Sequence, residues 1–384
     1  MAEQVLSPKE LLQRATDLMP VLKERAAHTE ELRRIPDGNV QDLIASGLHL
    51  IGVPQRFGGL DVGYGEILEA GAILGSACPA TAWCYSLWSA HSWLAGHWPL
   101  QAQEELFGNG PDALCSSSLN PGRSTLEKTE GGFRLSGRWE FSSGCDSAQW
   151  LMLGSEGPGG LVWSLLPESD FEIIDTWFVS GLRGSGSKDI AVTNAFIPSH
   201  RVIPVDRGGD DDWTGWEIHQ DDRYRIPIPV LLGWELVATM VGIAIGMVEE
   251  FTDRFTGTSG PGRTADSGGV QIRLSQASAE VAAAHALLRA DIQETFAKAG
   301  QGEKFSTLER ARYRRDKAFV TQTCLRAVNG LFDLTGGHAL FDSAVLQRHH
   351  RDAQAVAHRD GLIMEVGGSQ YGRVALGLEP DGRI

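Results

Sequence analysis

A chain of 384 residues, 42% hydrophobic and 22% charged, is long enough to bury a sizeable core and has the composition of a soluble globular protein. Its net charge of −15 leaves no basic excess to neutralise phosphates, which excludes a nucleic-acid binder. The five cysteines, odd in number and without a C-x-x-C pair, point to a reducing compartment and offer no zinc framework. No basic leader precedes an apolar segment at the N-terminus. The longest apolar run, 231–248, is interrupted by Trp234, Glu235 and Thr239. A buried helix in a cytoplasmic protein is expected there, not a membrane span.

The first third reads as helical. Ser7-Pro8-Lys9-Glu10 places an N-cap, a proline at the first helical position and an acid at N3. Leu11, Leu12, Ala15, Leu18 and Met19 then form one apolar face of a helix within 7–37. Short helices are predicted over 40–47 and 64–78. Residues 81–98 carry Trp83, Trp88, Trp93 and Trp98 at a spacing of five, with His91 and His97 among them. Five residues advance a helix about 140° beyond one full turn, so these rings face different sides, core or pocket.

From about residue 115 the texture changes to short β-rich runs broken by Gly, Pro, Asn and Ser, the pattern of a small antiparallel β-domain over 115–205. Residues 206–229 are acidic and aperiodic, a surface loop or a lid. From 230 to the end the chain is again helical, with elements over 231–255, 270–299, 306–334 and 343–367 that suggest a four-helix bundle. The division expected is thus 1–114 helical, 115–205 β, 206–229 loop and 230–384 bundle.

Two stretches of the β-region carry the functional reading. GRWEFSSGCDSA at 137–148 looks like a strand ending in a turn that offers Ser142, Ser143 and Gly144. GLRGSGS at 181–187 has three glycines and suits close backbone approach. With WFVSGLRGSGSKDIAVTNAFIP and LFDLTGGHALFDSAVLQRHHRDAQAVAH, the order of helices, β-domain and bundle resembles the acyl-CoA dehydrogenase fold over nearly the whole chain. S-S-G-C-D at 142–146, His358 beyond Arg351, and QYGRVALGLEP near the end resemble the oxygenase components of two-component flavin monooxygenases.

That resemblance implies a mainly α protein with a central β-domain, using reduced FMN or FAD from a separate NAD(P)H-dependent flavin reductase. Dioxygen would add to the flavin as a C4a-hydroperoxide that hydroxylates a phenol- or indole-like substrate. The catalytic expectations are Ser143 near flavin N5, His358 over the reactive edge and His91 as a second acid–base group. Cofactor contacts fall to Trp139, Ser142, Ser143, Gly144, Arg183, Arg263, Gly336 and Gly337, the last two from a neighbouring subunit of a homotetramer. Trp83, Trp88, Trp93 and Phe141 are the substrate-pocket candidates. No metal site is expected, since no histidine has a helical i,i+4 partner with a carboxylate beside it. Two other readings are carried: a dehydrogenase using Asp360 as base, and a flavin-binding scaffold without catalysis.

Overall fold

The computed structural model describes residues 6–157, 159–205, 214–256 and 264–381. α1 (Pro8–Leu32) opens on the expected capping box, in which Ser7 Oγ accepts from the Glu10 N–H at 3.3 Å and the Glu10 carboxylate accepts from the Ser7 N–H at 2.8 Å. α2 (Asp37–Ser46), α3 (Gly65–Ala77) and α4 (Pro79–Ala95) follow, and α5 (Leu100–Phe107) adds a helix that apolar spacing does not predict. In α4 every residue but the half-buried Leu87 is buried. It packs against α3, the β-region and the C-terminal helices, so tryptophans on different sides all find a dry environment.

The central region contains β1 (Cys115–Ser118), β2 (Arg123–Thr129), β3 (Gly132–Ser142), β4 (Trp150–Gly157), β5 (Gly160–Pro167), β6 (Glu172–Ile174), β7 (Lys188–Pro198) and β8 (Val202–Pro204). They form two four-stranded sheets, β1-β4-β5-β8 and β2-β3-β7-β6. Pairing is antiparallel except between β1 and β4. The parallel pair departs from the all-antiparallel expectation because the chain leaves β1, builds a hairpin in the other sheet and returns to β4 in the same direction. Leu135, Trp139, Leu151, Leu153, Leu166 and Ile190 fill the space between the sheets.

Of the 206–229 segment, residues 206–213 lie outside the described residues. The remainder is neither loop nor lid. α6 (Thr214–His219), a 3-10 turn over Asp222–Arg225 and α7 (Ile228–Leu231) bridge the two helical regions, the turn and α7 contacting C-terminal helices. Arg223 is buried and donates to the carbonyls of Ile51 at 3.0 Å and Val62 at 3.3 Å, while Tyr224 is 1% exposed. A lid must leave its seat cheaply, and freeing a buried guanidinium bonded to main-chain carbonyls is not cheap.

The C-terminal part holds α8 (Trp234–Phe255), α9 (Gly268–Gly300), α10 (Thr307–Phe332), α11 (Val345–Ala357) and α12 (Met364–Ala375), with α10 contacting the other four. The single helix predicted over 343–367 is broken: α11 ends at His358, and a 3-10 turn over Asp360–Leu362 precedes α12. Gly361 inside that span weakens helix propagation, and Arg359 and Ile363 adopt extended backbone on either side. The apolar stretch Ile228–Phe255 is long enough to cross a membrane by composition, but 72% of its most apolar window is buried inside the fold, as a core helix should be.

Candidate active site

The turn after β3 is where the fold brings its hydroxyls together. β-pairing shifts register between Trp139 and Ser142, and Phe141 sits at φ +64°, a conformation costly for a bulky residue. The bulge breaks the two-residue alternation. Trp139 points into the sandwich, fully buried, with its indole N–H donated to the Gly154 carbonyl at 2.7 Å. Phe141 is turned outward, 59% exposed, with Trp177 edge-on at 6.1 Å. Trp139 is therefore a core residue without a free face, and the expectation that it packs on a flavin is corrected. Phe141 presents the flat apolar face instead.

Ser142 and Ser143 are both buried. Ser142 Oγ lies 3.1 Å from Ser116 Oγ on β1, and Ser116 Oγ donates to the Ser143 carbonyl at 2.7 Å. Ser143 Oγ accepts from the Trp83 indole N–H at 3.0 Å and lies 2.6 Å from Ser187 Oγ, itself 2.7 Å from Ser185 Oγ. Indole only donates, so Ser143 Oγ accepts from Trp83, and its own proton goes to Ser187 Oγ or, when Ser187 donates to it, is free for a ligand. The Lys188–Asp146 ion pair at 2.6 Å clamps the turn to β7. Gly144 adopts φ +68°, and a Cβ there would lie 2.8 Å from the Trp88 indole. Its missing side chain thus accommodates Trp88 and the left-handed turn.

The 181–187 loop differs from expectation in the same way. A Cβ on Gly181 would stand 2.0 Å from the Arg351 carbonyl oxygen, and the Leu182 N–H donates to Asp352 Oδ1 at 2.6 Å. Close approach here is of backbone to α11. Burial, followed by smaller influences, pushes the Asp352 carboxyl up to about 7. Arg183 lines a small cleft with Glu30, Arg348 and Asp352.

His91 on α4 is the most defined polar group of the site. Its Nδ1 lies 2.7 Å from the Cys115 carbonyl, which can only accept, so Nδ1 carries the proton. Nε2 is then a lone-pair acceptor and receives the Ser117 hydroxyl at 2.8 Å. Burial lowers its value to about 4, with the Cys115 bond opposing and Arg359 assisting, so the ring is neutral near pH 7. Ser117 on β1 is half-buried, so its hydroxyl links this buried ring to a partly accessible position.

His358 caps α11 and is exposed, with Nδ1 2.7 Å from the Gln354 carbonyl; the same argument leaves Nε2 as its acceptor. It lies six residues, about 9 Å along the helix axis, beyond the Asp352 contact with the loop. Trp83 touches the site through Ser143. Trp93 does not: it is fully buried in an aromatic run with Tyr64 at 5.4 Å and His97 at 5.3 Å, and belongs to the core. Gly336, at φ +69°, and Gly337 face open space, and Arg263 lies outside the described residues. Among the described residues no group of three or more His, Cys, Asp or Glu side chains is placed to hold a metal. Sequence reasoning missed Ser116, Ser117, Ser185 and Ser187; the C-S-S-S run at 115–118 and the alternating serines of the loop were their only signal.

A helices–sandwich–helices fold, with hydroxyls at a strand end and a neutral histidine facing them from a helix, is that of a flavoenzyme of the acyl-CoA dehydrogenase fold. Residues 235–360 match the acyl-CoA dehydrogenase, C-terminal domain family. The FADH(2)-dependent resorcinol hydroxylase oxygenase component of Rhizobium sp. (strain MTP-10005) is 33% identical, with 97% of this chain and 95% of that protein covered. The oxygenase subunit of a flavin-dependent monooxygenase of Rhodococcus jostii is 33% identical over 90% of this chain and 92% of its own length. The crystal structure of 3-HSA hydroxylase from Rhodococcus sp. RHA1 superposes with a TM-score of 0.93 at 31% identity, covering 97% of this chain and 98% of that one. This chain belongs to the oxygenase components of flavin-dependent monooxygenases.

Proposed function

We propose that this protein hydroxylates a phenol-like aromatic with dioxygen and reduced flavin supplied by a separate reductase. The observation that carries it is the His91–Ser117 pair, an acceptor fixed in one tautomer behind a half-buried hydroxyl. The residues fit a flavin: the exposed Phe141 face suits a planar ring, and Ser143, two residues on, has a hydroxyl proton to offer whenever Ser187 donates to it. Bound reduced flavin supplies the activation of dioxygen and the transfer of one oxygen atom. Phe141 would hold the ring with its exposed face and Ser143 would donate to it, while Gly336 and Gly337 would reach it from a neighbouring subunit.

The substrate hydroxyl donates to Ser117 Oγ, whose own proton is committed to His91 Nε2. A resting imidazole near 4 is too weak to ionise a phenol near 10; the gap of about 6 units corresponds to about 8 kcal/mol. His91 therefore orients the phenol and takes its proton through Ser117 only as positive charge develops in the attacked ring. His358 Nε2 serves as a second acceptor at the cleft edge.

A homotetramer is supported by apolar side chains on outer faces of the C-terminal helices, including Ile272 (68% exposed) and Leu376 (81%), and by Leu340 and Phe341 next to Gly336 and Gly337. A cytoplasmic location is supported by five buried, unpaired cysteines. The test is a coupled assay with NADH, a flavin reductase, resorcinol and ¹⁸O₂. Hydroxylated product carrying one labelled atom is expected. Flavin reoxidation that yields hydrogen peroxide with every phenol tried overturns the reading, and anaerobic flavin reduction by an acyl-CoA would instead support a dehydrogenase using Asp360.

A further inference from the structure

The small cleft that Arg183 shares with Glu30, Arg348 and Asp352 is enclosed by α1, the start of α4, the 181–187 loop and α11. None of its lining side chains belongs to the hydroxyl wall around Ser143. Packed backbone fixes its shape. A Cβ on Gly184 would lie 2.5 Å from Thr29 Cγ2 on α1 and 3.0 Å from Ala80 Cβ on α4. On the opposite side the Leu182 N–H reaches Asp352 Oδ1 on α11 at 2.6 Å.

The charges inside do not balance. Arg348 is only 8% exposed, and its Nε is buried without an acceptor. Neither Arg348 nor the half-buried Arg183 makes a hydrogen bond or an ion pair with the described residues. The two acids of the cleft are committed elsewhere. Glu30 pairs with Arg351 at 2.5 Å, and Asp352 accepts from the Leu182 main chain. Burial also pushes the Asp352 carboxyl up to about 7, so it carries only part of a negative charge near neutral pH. A guanidinium keeps its proton and can only donate, and a buried charge left unpaired is strongly destabilising.

Whatever answers Arg348 must therefore accept N–H groups, bring negative charge and be small. The cleft has room for about one water-sized body. A water accepts hydrogen bonds but adds no charge. A carboxylate or phosphate group brings charge but needs more space. A monatomic anion meets all three demands.

We propose that this cleft is a halide site, taking one chloride ion between Arg348 and Arg183. The ion fastens the 181–187 loop to α11 and α1, and that loop carries Ser185 and Ser187, whose hydroxyls lead to Ser143. The proposal is independent of the oxygenase reading.

The experiment follows thermal unfolding in potassium chloride against potassium gluconate at one ionic strength, for the wild type, Arg348→Gln and Arg183→Gln. Gluconate matches the screening and is too large to enter. The wild-type midpoint is expected to rise saturably with chloride, by about 3 °C. Arg348→Gln should lose that rise and Arg183→Gln most of it. Bromide soaked into wild-type crystals should give an anomalous peak in the cleft, within hydrogen-bond reach of Arg348 Nε. No chloride response in the wild type, or an equal response in all three proteins, overturns the proposal. So does an ordered water between the two arginines with no anomalous signal. If Arg348→Gln does not fold, Arg183→Gln and the bromide map decide. A different occupant has its own signature. Reduced FMN held more tightly than reduced riboflavin by the wild type, but not by Arg348→Gln, would give the pair to the cofactor phosphate and overturn the halide site.

Discussion

The inner wall of the candidate site and its outer rim are built on opposite principles. The wall, α4 with β1 and the turn after β3, is dry: His91, Ser116, Ser142 and Ser143 are all less than 10% exposed, and each has a named hydrogen-bond partner. The rim, Phe141 and the bend at His358–Asp360, is wet, and its side chains have few partners. Trp139 and Phe141, two positions apart on one strand, fall on either side of this boundary. A wall of satisfied polar groups holds one geometry, because leaving any of them unpaired costs more than its bond contributes. The rim is free to answer a ligand.

The largest effect should come from the wall's own support. Trp139→Ala is expected to destabilise the protein by about 3–5 kcal/mol, since a large ring is removed from a closed core. Phe141→Ala should change stability by no more than about 0.5 kcal/mol while weakening retention of reduced flavin about tenfold. Chemical unfolding and flavin titration measure the two. Equal stability losses would erase the boundary drawn between them. His91→Ala should then lower hydroxylation about 100-fold, and Ser117→Ala about tenfold, with flavin affinity unchanged in both. A drop in flavin affinity as large as the drop in rate would place His91 at the cofactor and not at the substrate.

These expectations also show what could be read from the residues alone. The capping box at Ser7, the helical order and the β-texture after 115 were legible because they are local patterns of period and turn chemistry. His91 was legible as a candidate, but its partner Ser117 was not, since the two stand 26 positions apart and are joined only by packing of α4 on β1. Trp139 was misassigned for a subtler reason. Strict alternation puts Trp139 and Phe141 on the same face, and only the bulge with its positive φ at Phe141 separates them. The glycines of the 181–187 loop were misjudged likewise. A sequence shows that backbone can approach something there, and only the fold shows that Gly181 approaches the Arg351 carbonyl.

Ser143→Ala tests the wall at its cofactor end. The Trp83 N–H would lose its acceptor and the flavin its donor, so oxygen consumed should appear increasingly as hydrogen peroxide, with product per NADH falling several-fold. Product yield unchanged in Ser143→Ala would reduce that hydroxyl to a turn constituent. The pH dependence of the pair is a finer probe. His91 must be neutral to accept from Ser117, and its value of about 4 lies below the usual 6.5. Activity that depends on the pair is therefore present above about pH 4 and lost below it. A limb centred near 6.5 that vanishes in Ser117→Ala would mean that His91 is wetter than the fold makes it.

The smallest effect belongs to His358. Its Nδ1 proton is held by the Gln354 carbonyl within its own helix, so removing the ring exposes one carbonyl to water and leaves no buried group unpaired. Stability of His358→Ala should stay within about 0.5 kcal/mol of wild type. As an acceptor at a wet edge, Nε2 competes with water for the same proton, which limits its advantage to a few-fold in kcat. The comparison with His91→Ala in one coupled assay decides the matter. If the exposed histidine costs the larger factor, the rim must close around the bound flavin and become dry there, and the contrast between wall and rim would hold for the empty protein alone.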